Sequence, residues 1–204
     1  MSEPAGIILA AGMSSRFGSD KLLYELTIEG DCQPLIQHTL QSWFLLFDEI
    51  SVVIRTDTPP LRQTIMDFAE KQHKNINLIE CRDAALGMGH SLSAAIKANS
   101  ESSGWMIGLA DMPLIPFSVL NQVYQNLKLG ALITAPYFDG QRGHPVGLNR
   151  LYKDELLAQE GDSGAKKLLQ RDAEFIQKVD TNQSGVLIDI DCMQDINRIE
   201  KSSR

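Results

Sequence analysis

Short apolar runs of strand length alternate with helix-length segments over most of the chain, and this alternation constrains the fold more than any other feature. Ala5 to Ala11, Ile50 to Ile54, Ile76 to Ile79, Trp105 to Ala110 and Ala131 to Ala135 are nearly continuous in apolar residues, as strands buried on both faces of a parallel sheet are. Between them Pro34 to Phe47, Pro60 to His73, Gly89 to Asn99 and Pro116 to Lys128 read as helices, with Pro34 in a first turn, where its missing N–H is harmless. The pattern predicts an α/β fold, a three-layer α/β/α Rossmann-like arrangement around a mostly parallel sheet with right-handed crossovers. Past Pro136 the rhythm changes. Pro145 to Leu148, Phe175 to Val179 and Val186 to Ile188 read as short strands, Leu151 to Leu157 and Ser163 to Arg171 as helices, and a last helix begins near Cys192. No Pro/Gly/Ser-rich linker or internal repeat divides the chain, so one domain over residues 1–204 is expected.

Composition narrows the function classes. The 204 residues carry a net charge of −7, and no basic run exceeds Lys166-Lys167, which speaks against a nucleic-acid partner. Cys32, Cys81 and Cys192 are odd in number and scattered, unlike a zinc site or a disulfide framework. Apolar runs are strand-length and the first residues lack a basic leader pattern, so a cytoplasmic protein without a membrane partner is expected.

In a doubly wound sheet, ligands bind beyond the carboxyl ends of the strands, and three polar segments fall there. After the first strand comes Leu9-Ala-Ala-Gly-Met-Ser-Ser-Arg-Phe-Gly-Ser-Asp-Lys21. Gly12 lets backbone amides approach an anion, Arg16 offers a planar fork of donors and Lys21 a compact charge. Neither G-x-x-x-x-G-K-(S/T) nor G-x-G-x-x-G is present, and residue types alone leave a phosphate loop and an ordinary solvated loop equally open. After the third strand, Gly87-Met-Gly-His-Ser91 offers close approach at two glycines and a serine near a helix N-terminus. After the fourth, Leu109-Ala-Asp111-Met-Pro113 puts a carboxylate at a strand end, suited to a hard divalent cation that also takes phosphate oxygens and water. Asp189-Ile-Asp191 precedes the last helix, where Asp191 reads as an N-cap with Gln194 as its capping-box partner.

Taken in order, these segments resemble the molybdenum cofactor cytidylyltransferases, within the nucleotidyltransferases of the nucleotide-diphospho-sugar transferase fold. The match runs from L-A-A-G-x-S-x-R-(F/M)-G-x-x-K through G-M-G-x-S-L, L-A-D-M-P and R-G-H-P-V to D-I-D-x-x-x-D. Related guanylyltransferases typically carry L-A-G-G where Leu9-Ala10-Ala11-Gly12 stands. The usual Thr-Pro at the start of the last helix is replaced by Cys192-Met193.

The resemblance implies transfer of CMP from CTP to a molybdopterin-type acceptor, with Mg²⁺, or Mn²⁺ in its place, and release of pyrophosphate. It gives nucleotide binding to Leu9, Ala10, Ala11, Gly12, Arg16, Lys21, Gly87, Gly89 and Ser91, and leaves His90 at a variable position without a catalytic role. It makes Asp111 and Asp191 metal ligands, and puts Arg142, His144 and Lys166 at the acceptor, with His144 orienting first and moving protons second. Arg16, Lys21, Asp111 and His144 form the catalytic set. A phosphate monoester is already ionised at neutral pH, so positioning and charge neutralisation carry the rate. The implied recipient of the product is a molybdenum hydroxylase. The alternatives are a guanylyltransferase, a sugar- or alcohol-phosphate nucleotidyltransferase of the same fold, and a non-catalytic protein that only delivers the cofactor.

Overall fold

The computed structural model describes residues 2–12, 17, 20–161 and 164–202. Four strands, β1 (Ala5–Leu9), β4 (Glu49–Arg55), β5 (Asn75–Cys81) and β6 (Gly104–Leu109), lie parallel in the order β5-β4-β1-β6. The chain leaves β1 toward β4 and β5 and then returns to place β6 on the other flank of β1. The gap between β1 and β6 is therefore the point where a doubly wound sheet opens its ligand crevice.

Beyond β6 the sheet continues with β9 (Val146–Asn149), β7 (Ile133–Phe138) and β10 (Ile176–Asp180), and β8 (Gln141–Arg142) pairs with β7. β9 runs antiparallel to both neighbours and β10 parallel to β7. The expected mostly parallel sheet is present, with the reversed strand in its interior.

Consecutive residues of a strand face opposite sides, and β1 shows it: Ile8 joins one core and Ile7 the other. The first core holds Trp43 and Phe44 of α1 (Leu35–Phe44), Phe68 of α2 (Pro59–Lys71), Leu120 of α4 (Phe117–Lys128) and Ile196 of α7 (Met193–Ser202). The second holds Leu92 and Ile96 of α3 (Met88–Ala98), Leu156 of α5 (Lys153–Leu157) and Leu168 of α6 (Lys166–Arg171). Helices thus cover both faces. Each fully buried side chain of this size stabilises the fold by roughly 1.5–3 kcal/mol. Trp105, in the second core, also donates its indole N–H to the Asn99 carbonyl at 2.9 Å, so no polar atom of the ring is stranded.

One element was not foreseen and one expectation fails here. Residues 22–33, for which the pattern predicts no element, form a short turn and a hairpin of β2 (Glu25–Ile28) and β3 (Asp31–Pro34). Its two-residue loop, Glu29-Gly30, has φ of 51° and 85°, the twist that a tight hairpin requires. Val186 to Ile188, read as a strand, is part of a 3₁₀ turn, Ser184–Leu187. The Val186 carbonyl accepts from the His144 N–H at 2.9 Å, which ties this segment to the rim of the sheet instead of into its ladder.

Candidate active site

Two strand ends meet where β1 and β6 lie side by side. The Ala110 N–H donates to the Leu9 carbonyl at 3.1 Å, and the Ala10 N–H to Val53 at 2.8 Å, so Ala10–Gly12 and Asp111 emerge on one rim. Arg55, the last residue of β4, donates to the Gly12 carbonyl at 3.0 Å. Asp20 caps a single 3₁₀ turn, Lys21–Leu23, by accepting from the Leu22 N–H at 3.3 Å. That turn aims Lys21 inward, and the residue is only 8% exposed.

Lys21 Nζ donates to Asp111 Oδ2 at 2.8 Å and to Asp191 Oδ1 at 3.2 Å. Burial alone would drive the ammonium to lose its proton, but the two carboxylates outweigh it and hold the pKa above the ordinary lysine value. Asp191 reaches this corner because the Ile190 N–H donates to the Asp111 carbonyl at 3.0 Å, joining the C-terminal segment to the end of β6. Asp189 lies on the same wall, and burial together with the charges of Asp191 and Asp111 raises its pKa.

Asp195, third residue of α7, accepts from the Asp191 and Cys192 N–H groups at 3.0 and 2.9 Å. It is the half of a capping box in which the third helical residue reaches back. The expected Gln194 has no such bond among the described residues. Asp191 itself points at Lys21, because its helix start is already held by Asp195.

The buried hydroxyl of Thr39 donates to the Ala110 carbonyl at 2.8 Å and fixes the backbone just before Asp111. Asp111 Oδ1 is buried with no hydrogen-bond partner among the described residues. An unpaired buried carboxylate oxygen is expensive, and a cation beside it would relieve the penalty. Among the described residues no three or more His, Cys, Asp or Glu are grouped so as to hold a metal ion by themselves. Two carboxylates are what a hard divalent ion needs when phosphates and water complete its shell, so the residues fit such an ion.

The opposite wall consists of Ala84, Ala85, Gly87, Met88 and Ser91, and with Leu9, Ala10, Ala11, Gly12, Lys21 and Asp111 it encloses a cleft of about 430 Å³, within the usual size of a small-molecule site. Gly87 has φ 127° and ψ 165°, open to glycine alone, and α3 begins there with no side-chain cap. The two glycines of this segment do different work. A Cβ on Gly89 would lie 2.7 Å from the Glu160 backbone, so Gly89 is a packing contact and does not line the cleft. His90 does not line it either.

The His144 ring lies close enough to Arg142 and Asp111 to feel the charge of both. The register Ile107↔Val146 places the residues before β9 next to the end of β6. His144 precedes a cis peptide bond to Pro145, and its Nδ1 is buried without a partner among the described residues. Burial, helped by the Arg142 charge, pushes the ring pKa down to about 4 against the opposing pull of Asp111 and the Ile107 backbone. His144 is thus neutral at pH 7, and neither it nor Arg142 lines the cleft. Lys166 is exposed at the first residue of α6. Arg16, Asp162 and Ser163 lie outside the described residues. Sequence reasoning passed over Thr39 and Arg55. The strand-end rule points at Arg55, a polar residue closing an apolar run, whereas nothing in a helical pattern distinguishes Thr39.

The family model for the MobA-like NTP transferase domain matches residues 6–176. The chain is 29% identical over 201 residues to the purine catabolism protein PucB of Bacillus subtilis, covering 97% of this chain and 96% of that one. The fold is also that of Rv0371c from Mycobacterium tuberculosis, with a TM-score of 0.80 at 21% identity over 98% of both chains; a complex of Rv0371c with manganese superposes with a TM-score of 0.76 at 20% identity, over 98% of this chain and 100% of that one. The molybdopterin-guanine dinucleotide biosynthesis protein A of Archaeoglobus fulgidus shares it with a TM-score of 0.66 at 16% identity, over 97% of both chains. With its cleft at the β1/β6 crossover and the family model spanning most of its length, the chain belongs to the MobA-like NTP transferase domain family and is a nucleotidyltransferase of that family.

Proposed function

We propose that the protein transfers CMP from CTP to the terminal phosphate of a molybdopterin-type acceptor. The observation that carries this reading is the meeting of Lys21, Asp111 and Asp191 within 3.2 Å contacts at the mouth of one cleft. An acceptor phosphate oxygen forms a bond to the α-phosphorus of CTP as the bond to the β-phosphate oxygen breaks, and pyrophosphate leaves. The attacking oxygen is already ionised, so no general base is required, in keeping with a neutral, buried His144.

Ala10, Ala11 and Gly12 offer backbone to the phosphates, and Lys21, with Arg16 from the same loop, offsets charge on them. The start of α3, with Gly87 and Ser91, takes the base and ribose side. Asp111 and Asp191 would hold Mg²⁺ or Mn²⁺, which when bound supplies Lewis-acid neutralisation of the phosphoryl oxygens. Arg142, His144 and Lys166 are assigned to the acceptor side, His144 as a positioning residue. A molybdenum hydroxylase is the proposed recipient of the product, in keeping with the name of the purine-catabolism relative.

The test is pyrophosphate release from purified protein given molybdopterin cofactor and each nucleoside triphosphate in turn. Release with CTP is the expected result. Preference for GTP would overturn the cytidylyl assignment, and cofactor binding with no pyrophosphate from any triphosphate would make the protein a delivery factor.

A further inference from the structure

Lys21 stands where a cation is wanted. Its ammonium bridges Asp111 Oδ2 and Asp191 Oδ1 at 2.8 and 3.2 Å and is almost shielded from solvent. The two carboxylates come from distant parts of the chain and are drawn together by the Ile190–Asp111 backbone bond. Asp189 adds a third negative group to the same wall. Like charges so close in a half-buried corner repel strongly, and among the described residues Lys21 is the cation that touches both Asp111 and Asp191. To accept a divalent ion, Asp111 and Asp191 must release that ammonium, and the ammonium then needs another anion within its reach. A triphosphate lying along Gly12 would provide one, since Lys21 and Gly12 line the same cleft.

We propose that Lys21 is a resident placeholder for the divalent cation, so that metal and nucleotide enter together. Metal alone competes with the lysine for its ligands and binds weakly; nucleotide draws the lysine away and opens the carboxylates. By linkage, metal strengthens nucleotide binding by the same factor. The inference rests on the reading of the cleft as a triphosphate and metal site.

Mn²⁺ binding to the nucleotide-free protein, read by electron paramagnetic resonance of free Mn²⁺, tests it. Lys21→Met is expected to bind Mn²⁺ about tenfold more tightly than the parent while losing transfer activity, because the share of protein with accessible ligands rises. Lys21→Gln, which retains donors toward the carboxylates without the charge, should move the same way and covers the case of a Met variant that does not fold. Arg55→Met removes a nearby cation that touches neither carboxylate and should alter Mn²⁺ affinity by less than about twofold. Unchanged or weaker Mn²⁺ binding in both Lys21 variants, or an equal gain in Arg55→Met, overturns the placeholder. Asp111→Asn separates the two levels: if Mn²⁺ still binds as in the parent with a non-hydrolysable CTP analogue present, the metal-site reading itself has failed.

Discussion

Lys21 and His144 flank the same aspartate, and burial acts on both in the same direction, yet they end in opposite states. Desolvation is the largest influence on each. Lys21 keeps its charge because Asp111 and Asp191 are within hydrogen-bonding distance. His144 loses its charge because Arg142 adds to the effect of burial and Asp111 is too weak an opponent. Burial therefore makes charge costly on both sides of Asp111, and the available partner decides whether it persists. The cleft is organised by full charges, and the ring outside its lining is neutral.

The most severe test of this contrast is Asp111→Ala, which removes the group common to both sides. Pyrophosphate release should fall by about a thousandfold, since charge stabilisation at the transferred phosphoryl group contributes several kcal/mol. A loss of less than tenfold would mean that Asp111 is structural.

His144 predicts a pH dependence of stability. Its folded pKa of about 4 lies below the ordinary value of about 6.5, so between those values the unfolded chain binds more protons than the folded one. The contribution is fully present above pH 6.5 and is lost as pH falls toward 4, amounting to at most about 3 kcal/mol. Chemical denaturation at pH 7.5 and pH 4.5 should show a steeper decline in the parent than in His144→Phe. Parallel declines would show that the ring is solvated.

The glycine pair sharpens the division between cleft and packing. Gly87→Ala strains a left-handed conformation at the cleft wall, and Gly89→Ala presses a methyl group into the Glu160 backbone. Each should destabilise the fold by about 1–3 kcal/mol. Only the first should also raise the KM for nucleotide at a temperature where both variants are folded; matched KM values would erase the distinction. The smallest effect belongs to Asp195→Ala, which unties the start of α7 and should lower stability by about 1 kcal/mol, seen as a small drop in Tm.

The central sheet was legible because buried parallel strands leave continuous apolar runs, as in Ile50 to Ile54 and Trp105 to Ala110. The β2–β3 hairpin was not, since its strands are short and half-exposed and its turn uses Glu29 where Asn or Asp usually announces the geometry. Asp111 could be placed in advance because a carboxylate ending an apolar strand must appear on the ligand rim. Its pairing with Lys21 could not, because that depends on how Asp20 caps one turn and on how residue 190 reaches a strand about eighty positions earlier. Gly89 illustrates a third limit: close approach to a ligand and close approach to a neighbouring backbone ask for the same residue, and only coordinates tell them apart.

Because β9 runs against its neighbours, His144 sits on a segment about to enter the sheet, while Ala10–Gly12, Gly87 and Asp111 follow strands that have just left it. Incoming and outgoing connections are anchored at different strands. The β7–β8 turn at Asp139-Gly140 can therefore be lengthened or exchanged without tugging on Ala10–Gly12 or on Asp111. On the proposed reading, a scaffold wired in this way lets the acceptor be changed over evolutionary time while the grip on the nucleotide is left as it was.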